Sequence, residues 1–255
     1  VQVRVEREYA NVLDGFALSA PAGSLEEIRG VAGVKAAFLE REGHVSDAAA
    51  VDAEGGTRAS QIEGQDPANL SAQLMMRTDQ VTQKGEGKVV AIIDTGVDMA
   101  HQAFTPALTA TPALSEDRVD ELKAQLGEGK TGVYVNEKFP FAYDYADGDA
   151  DVAYPARDEY GDQTYDVRYT HGTHVAALAA ANGSVFKGAA PGAQLIVAKV
   201  TQDGADTASD SALLAALDDA AVLAPDVLTV SFATIEGMSS DSEALYSQVY
   251  QTLNA

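Results

Sequence analysis

The sequence predicts an α/β protein with a doubly wound parallel sheet, preceded by a small α+β unit. Three short apolar runs, at residues 89–93, 195–198 and 227–230, have the composition of strands buried on both faces. Between the last two runs, residues 209–224 keep leucine and alanine at helical spacing until Pro225 ends the pattern. Strands that alternate with helices are typical of parallel sheets covered by helices.

Composition excludes several classes of protein. The 255 residues contain 17 Lys and Arg against 39 Asp and Glu, a formal net charge of −22, which repels the phosphate backbone of nucleic acids. The absence of cysteine excludes disulfides, thiolate metal sites and a cysteine nucleophile. No apolar run reaches the roughly 18 residues that span a bilayer, so we expect no transmembrane segment.

The N-terminal segment predicts a small α+β unit. Residues 12–18 and 34–39 have the apolar character of strands, and a short helix between them begins after Ser24, a suitable cap, and stops near Gly30. Periodicity is then lost in a stretch rich in small and acidic residues, which is typical of an exposed linker. We therefore divide the chain into residues 1–43, a linker or processing region at 44–70, and a main domain at 71–255.

The first chemical motif, Asp94-Thr95-Gly96, directly follows the first buried run. Functional residues of doubly wound sheets gather at the carboxyl ends of strands, which makes Asp94 a candidate site residue. An aspartate here also begins ordinary turns, and this motif alone leaves both interpretations open.

The second motif is His171-Gly172-Thr173-His174, followed by an alanine-rich stretch. We predict a helix entered at His171, where the positive end of the helix dipole favours a neutral ring able to accept a proton. Asp94 can orient that ring if a carboxylate oxygen lies roughly 2.6–3.2 Å from a ring nitrogen. Gly172 would allow close backbone approach. The alternatives are a solvated helix cap for His171 and, as we favour, a satisfied core position for His174.

Together these motifs resemble those of the subtilisin-like serine proteases, the subtilases. Residues 89–98 and 170–176 are similar to the catalytic Asp and His motifs of that family and occur in the same order. Residues 187–195 resemble the segment after the histidine helix, and residues 226–231 resemble the strand that flanks the substrate.

Two further stretches extend the resemblance. Residues 134–147 are similar to the lactocepin and C5a-peptidase group of cell-envelope proteinases. Residues 9–45 resemble the later part of the subtilase propeptide, an inhibitory domain that assists folding and caps the cleft. The resemblance thus covers nearly the whole chain and identifies it as the N-terminal part of a subtilase that retains a propeptide remnant.

The resemblance implies a serine endopeptidase in which Asp94 orients His171, and His171 takes the proton from a serine that attacks a peptide carbonyl. The oxyanion Asn and the Gly-Thr-Ser nucleophile motif of the family are not found up to Ala255. We therefore expect both to lie beyond this chain and expect the chain alone to be inactive. Peptide or protein substrates, the propeptide as intramolecular inhibitor, and a secreted or cell-envelope location are also implied.

The resemblance assigns substrate binding to Ser231, Phe232 and Ala233. The family usually has Ser-Leu-Gly here, so Ala233 adds a methyl where substrate backbone pairs, which leaves the depth of this binding strand open.

Acidic residues before the second motif loosely resemble a calcium loop: Asp147, Asp149, Asp151 and Asp158. Because Val152 replaces the expected glycine, we favour a solvated acidic loop and expect no metal and no cofactor.

Three other functions stay open. Asp-Thr-Gly also marks aspartic proteases, although the sequence has no second copy. A metal hydrolase would use Asp94, His171 and His174. A truncated subtilase homologue would bind a peptide or a partner without catalysis.

Overall fold

The computed structural model describes residues 2–45, 75–105, 108, 111–153, 167–184, 186–203, 205, 207–233 and 240–254. The strands are β1 (Arg4–Tyr9), β2 (Gly15–Ser19), β3 (Glu42–Val45), β4 (Val89–Asp94), β5 (Phe141–Asp144), β6 (Gln194–Lys199), β7 (Thr207–Ser209), β8 (Val227–Val230) and β9 (Phe232–Ala233). The α-helices are α1 (Leu25–Arg29), α2 (Glu116–Lys123), α3 (Val167–Ala180), α4 (Asp210–Leu223) and α5 (Ser240–Leu253). Short 3-10 turns occupy Thr78–Gln80, Gln102–Phe104 and Glu128–Thr131.

The predicted parallel sheet is confirmed. Its four strands lie in the order β5-β6-β4-β8, and every neighbouring pair is parallel. The three apolar runs of the sequence form β4, β6 and β8, and the predicted helix between the last two is α4, capped by the side chain of Ser209. The edge strand β5 was not predicted.

The central strand β4 is buried on both faces because helices cover both sides of the sheet. Val90 and Ile92 belong to a core shared with alanines of α3. Val89, Ala91 and Ile93 belong to a second core shared with leucines of α4. This arrangement places the carboxyl end of β4, where Asp94 stands, next to both α3 and β6.

The N-terminal segment differs from its prediction in two ways. The strand predicted at residues 34–39 is wrong: these residues lie outside any strand, and Val34 and Leu39 are exposed. The segment also does not build a core of its own, since its buried residues Tyr9 and Val12 join the core of the main sheet. Strands β1 and β2 form an antiparallel hairpin, and α1 buries no residue.

Strand β3 pairs with strands of the main domain, antiparallel to both β7 and β9. The predicted linker at 44–70 thus begins inside β3, and its remainder from residue 46 lies outside the described residues. Within the part of the chain that the structure describes, no helix has both the length and the apolar character needed to cross a membrane.

Candidate active site

Asp94 ends β4 as a buried carboxylate, with only 1% of its surface exposed. Its Oδ1 accepts a hydrogen bond from the Thr95 backbone N–H at 2.7 Å and lies 2.8 Å from Nδ1 of His171. The predicted contact between the two side chains is therefore present. The second oxygen, Oδ2, is buried and has no hydrogen-bond partner among the described residues.

The ring of His171 is oriented by this contact. Because an ionised carboxylate only accepts hydrogen bonds, Nδ1 of His171 carries the proton and Nε2 is left as an acceptor. The hydrogen bond that Nδ1 of His171 donates to Asp94 raises the pKa of His171, burial acts against this rise, and the negative charge of Asp94 adds to it. The imidazolium form is thus stabilised at the place where a general base would need it.

The expectation that the helix begins at His171 is wrong. Helix α3 begins at Val167, so His171 lies in the second turn, and the dipole effect is confined to the first. The pKa of His171 is therefore raised by the Asp94 carboxylate beside the ring and is not set by the end of the helix.

His174 is exposed, so the core position favoured for it is also wrong. Within the described residues, neither histidine belongs to a group of side chains that could hold a metal ion. The metal-hydrolase interpretation therefore has no support from the geometry.

Glycine allows α3 to approach the end of β4 closely. A Cβ on Gly172 would lie 2.2 Å from the carbonyl oxygen of Gly96 and 3.0 Å from Oδ1 of Asp94. Gly96 itself has φ +104°, and a Cβ there would lie 2.3 Å from the carbonyl oxygen of Val152. Both positions therefore require glycine, as the sequence predicted for Gly172.

Two threonines of the motifs contribute contacts that the sequence analysis did not assign. The Gly172 backbone N–H donates to Oγ1 of Thr95 at 3.1 Å. The Asp98 backbone N–H donates to Oγ1 of Thr173 at 2.9 Å. These hydroxyl groups tie the two motifs together across 75 or more residues of sequence. The only sequence signal was a threonine beside each candidate residue.

A buried cation of the chain, Lys199 at the end of β6, lies against the start of the acidic loop. The Lys199 ammonium donates to Asp144, to Asp203 at 2.9 Å and to Asp147 at 3.4 Å. The three carboxylates are close enough together to suit a metal ion. Lys199 already donates a hydrogen bond to each of the three. Burial acts to lower the pKa of Lys199, but its hydrogen bonds to Asp144 and Asp203 outweigh burial and raise that pKa. Asp149 and Asp151 are exposed, and Asp158 lies outside the described residues.

The residues predicted to bind substrate lie beside β3. His44 is paired with Ala233, and Val45 with Phe232. Ser231 is half-buried between β8 and β9. Backbone pairing occurs at Ala233, so a chain segment can lie antiparallel along this strand although the position departs from the glycine of the family.

Comparison with known proteins gives a consistent result. The model of the subtilase family matches residues 85–255. The PI-type proteinase of Lactococcus lactis subsp. cremoris is 29% identical over 237 residues, which are 90% of this chain and 11% of that protein. The minor extracellular protease Vpr of Bacillus subtilis is 29% identical over 239 residues, 89% of this chain and 24% of Vpr.

A third relative is the C5a peptidase of Streptococcus pyogenes, which is 34% identical over 160 residues, 58% of this chain and 12% of the peptidase. The chain spans 11% of the length of the PI-type proteinase. The PI-type proteinase and the C5a peptidase are relatives from the group to which residues 134–147 were likened. The family match covers more than half of the chain and includes both motifs, and the chain belongs to the subtilase family.

Proposed function

We propose that this chain is the N-terminal part of a serine endopeptidase in which Asp94 and His171 are two members of a catalytic triad. The observation that carries the proposal is the 2.8 Å contact between Nδ1 of His171 and the buried carboxylate of Asp94. The serine nucleophile and an oxyanion-hole asparagine would come from sequence beyond residue 255. Relatives that are several times longer than this chain support that part of the proposal.

In the proposed reaction, Nε2 of His171 takes the proton of the serine hydroxyl as its oxygen attacks the peptide carbonyl. Asp94 holds the ring in the tautomer that accepts this proton and stabilises the positive charge that forms. The ring then gives the proton to the leaving amine, and an acyl-enzyme remains, which water hydrolyses. No metal or other cofactor takes part in these steps.

We further propose that β3 occupies the position of a substrate strand, so that residues 1–45 act as an intramolecular inhibitor. Its antiparallel pairing with β7 and β9 is the mode by which an extended peptide adds to a sheet edge. Ser231, Phe232 and Ala233 would then bind substrate backbone after β3 has left. A secreted or cell-envelope location fits the relative named as an extracellular protease.

The test is hydrolysis of fluorogenic peptides by the protein encoded by the complete reading frame. We expect turnover that a serine-directed inhibitor abolishes, and a loss in kcat of about 10⁶-fold for His171→Ala and about 10⁴-fold for Asp94→Asn. The exposed His174→Ala serves as the matched control. Unchanged turnover in His171→Ala would refute the triad. If the wild type hydrolyses no peptide at all, a peptide-binding module would be favoured instead.

Residues 1–255 alone should not hydrolyse these peptides, because the chain supplies no identified nucleophile. Processing is tested by N-terminal sequencing of the full-length protein after secretion. We expect a mature N-terminus between Gly43 and Ser71, and an uncut precursor when the nucleophile is replaced. A mature protein that starts upstream of Tyr9 would refute the propeptide assignment.

A further inference from the structure

The residue that leads into β3 is held by a buried acid of the main domain. The Arg41 guanidinium donates to Asp210, from Nε to Oδ2 at 2.9 Å and from Nη2 to Oδ1 at 3.1 Å. The Arg41 backbone N–H donates to the same carboxylate at 3.0 Å. The Asp210 backbone N–H donates to the carbonyl oxygen of Arg41 at 3.0 Å, which extends the pairing of β3 with β7 by one residue.

Asp210 is built to receive a cation. It is 9% exposed, and Tyr246 donates a hydrogen bond from its hydroxyl to Oδ1 at 2.7 Å. Burial raises the pKa of Tyr246, and the negative charge of Asp210 raises it further, so this hydroxyl stays a donor. A two-pronged guanidinium contact of this kind is among the strongest side-chain pairings. Removal of Arg41 would leave a largely buried carboxylate with unmet hydrogen-bonding capacity.

The register of β3 places Asp210 beside the position that a bound substrate strand would take. Arg41 stands three residues before His44, and His44 faces Ala233 of the proposed substrate strand. In a peptide that replaces β3 in the same register, the residue three positions before the one that faces Ala233 would lie against Asp210. With a net charge of −22, the protein also attracts cationic peptides in general.

We infer that Asp210, supported by Tyr246, forms a distal subsite that selects an arginine or lysine in the substrate, three residues before the position that faces Ala233. This inference rests on the proposed endopeptidase function, and it adds a specificity-determining residue outside the triad. Arginine is favoured over lysine because its planar guanidinium contacts both carboxylate oxygens at once.

The first experiment uses the processed full-length protein and peptides that carry the sequence of residues 39–45, extended on the C-terminal side. The residue equivalent to Arg41 is Arg, Lys, Ala or Glu. We expect kcat/KM to fall about 10–100-fold from Arg to Ala, the range for a charge-assisted pair, and further for Glu. In Asp210→Asn the Arg-to-Ala ratio should fall to below about 10, because the amide offers one acceptor oxygen and no negative charge to the guanidinium.

Asp218→Asn is the matched control because Asp218 lies on the same helix and its carboxylate accepts hydrogen bonds from residues 10–12, whereas Arg41 is bound by Asp210. It should keep the wild-type ratio. If the wild type cleaves the Arg and Ala peptides equally well, the inference is refuted while the protease function stands. An equal loss of selectivity in Asp210→Asn and Asp218→Asn would also refute the inference, because the selectivity would then depend on the net negative charge of the protein and not on contact with Asp210.

A second experiment does not depend on catalysis. The linker of the full-length protein is cut with an unrelated protease at an inserted site, and binding of fluorescein-labelled peptides of residues 39–45 is followed by anisotropy. The Arg peptide should bind at least about 10-fold more tightly than the Ala peptide, and Tyr246→Phe should reduce this difference. Equal binding would refute the subsite, and turnover of no peptide in the first experiment would refute only the proposed function.

Discussion

The sheet around β4 and the N-terminal segment use similar apolar residues in opposite ways. Val90 and Ile92 of β4 are buried beneath helices, whereas Val5 of β1 and Phe16 of β2 are each more than half exposed. The sheet is therefore stabilised by removing apolar surface from water. The N-terminal segment must be held mainly by other contacts, and these are polar.

Three acidic residues of the main domain hold the N-terminal segment. Asp218 accepts backbone hydrogen bonds from Asn11 and Val12 at 2.7 and 2.8 Å, and Asp210 binds Arg41. Glu128 forms an ion pair with Arg7. A segment held by a few charged contacts around a small buried patch can be released without unfolding the sheet. That property suits an inhibitor that has to leave.

The largest difference between the two regions should appear when a buried or exposed apolar side chain is shortened in each. Ile92→Ala should lower the free energy of unfolding by about 2–5 kcal/mol, because Ile92 is fully buried and truncation removes apolar contacts from the core. Val5→Ala, at 54% exposure, should change it by less than about 0.5 kcal/mol. Urea unfolding of residues 1–255 measures both values, and similar values would show that the two regions are stabilised alike.

The sequence was sufficient for three of the four strands of the sheet, β4, β6 and β8, because these strands are defined by local composition. A run such as residues 89–93 is apolar throughout, and only a strand covered on both faces uses such a run. The N-terminal segment was harder to predict because its pairing depends on distant residues. Val34 and Leu39 have the composition of a strand but find no partner, whereas the polar Glu42–Val45 becomes β3 because β7 and β9 are adjacent.

In the candidate site, too, residues in local motifs were predicted and residues that depend on distant partners were not. The contact between Asp94 and His171 was predicted because each residue belongs to a recognisable motif. Asp210 and Lys199 were missed because their roles depend on partners distant in sequence. Asp210 looked like an ordinary residue in the first turn of a helix, and nothing in the sequence shows that Arg41 lies against it.

A second prediction concerns the close approach of α3 to β4. Gly172→Ala should destabilise the protein by about 1–3 kcal/mol, because the added methyl overlaps the carbonyl oxygen of Gly96 and the helix has to move. The Asp94 to His171 contact should lengthen, which is detected as loss of the downfield Nδ1 proton signal in NMR. Gly148→Ala is the control: an added methyl there has open space around it, and the substitution costs only the backbone strain of φ +80°. Retention of the signal in Gly172→Ala would contradict this explanation.

A third prediction separates the N-terminal segment from the sheet. Asp218→Ala removes the acceptor for the backbone N–H groups of residues 10–12 and should lower the local stability of this turn by about 1–3 kcal/mol. Amide hydrogen exchange should accelerate at Asn11 and Val12 and remain unchanged in β4. Glu121→Gln, on the exposed face of α2, is the control and should affect neither region. Equal acceleration in β4 would mean that the segment and the sheet unfold as one unit.

The smallest expected effect is a pH dependence that originates in the sheet and not in the N-terminal segment. The hydrogen bond that the His171 ring donates to Asp94 raises the pKa of His171 above its ordinary value of about 6.5. The folded state therefore binds the proton more tightly than the unfolded state does. The resulting stabilisation is complete below about pH 6.5 and is lost as pH rises through the higher folded value. Asp94→Asn should lower the pKa of His171 and remove this dependence, whereas the Asp218→Ala variant should retain it. An NMR titration of the His171 ring measures the pKa directly, and urea unfolding at pH values on both sides of it measures the stability. An unchanged His171 titration in Asp94→Asn would show that the 2.8 Å contact does not control the proton affinity of the ring.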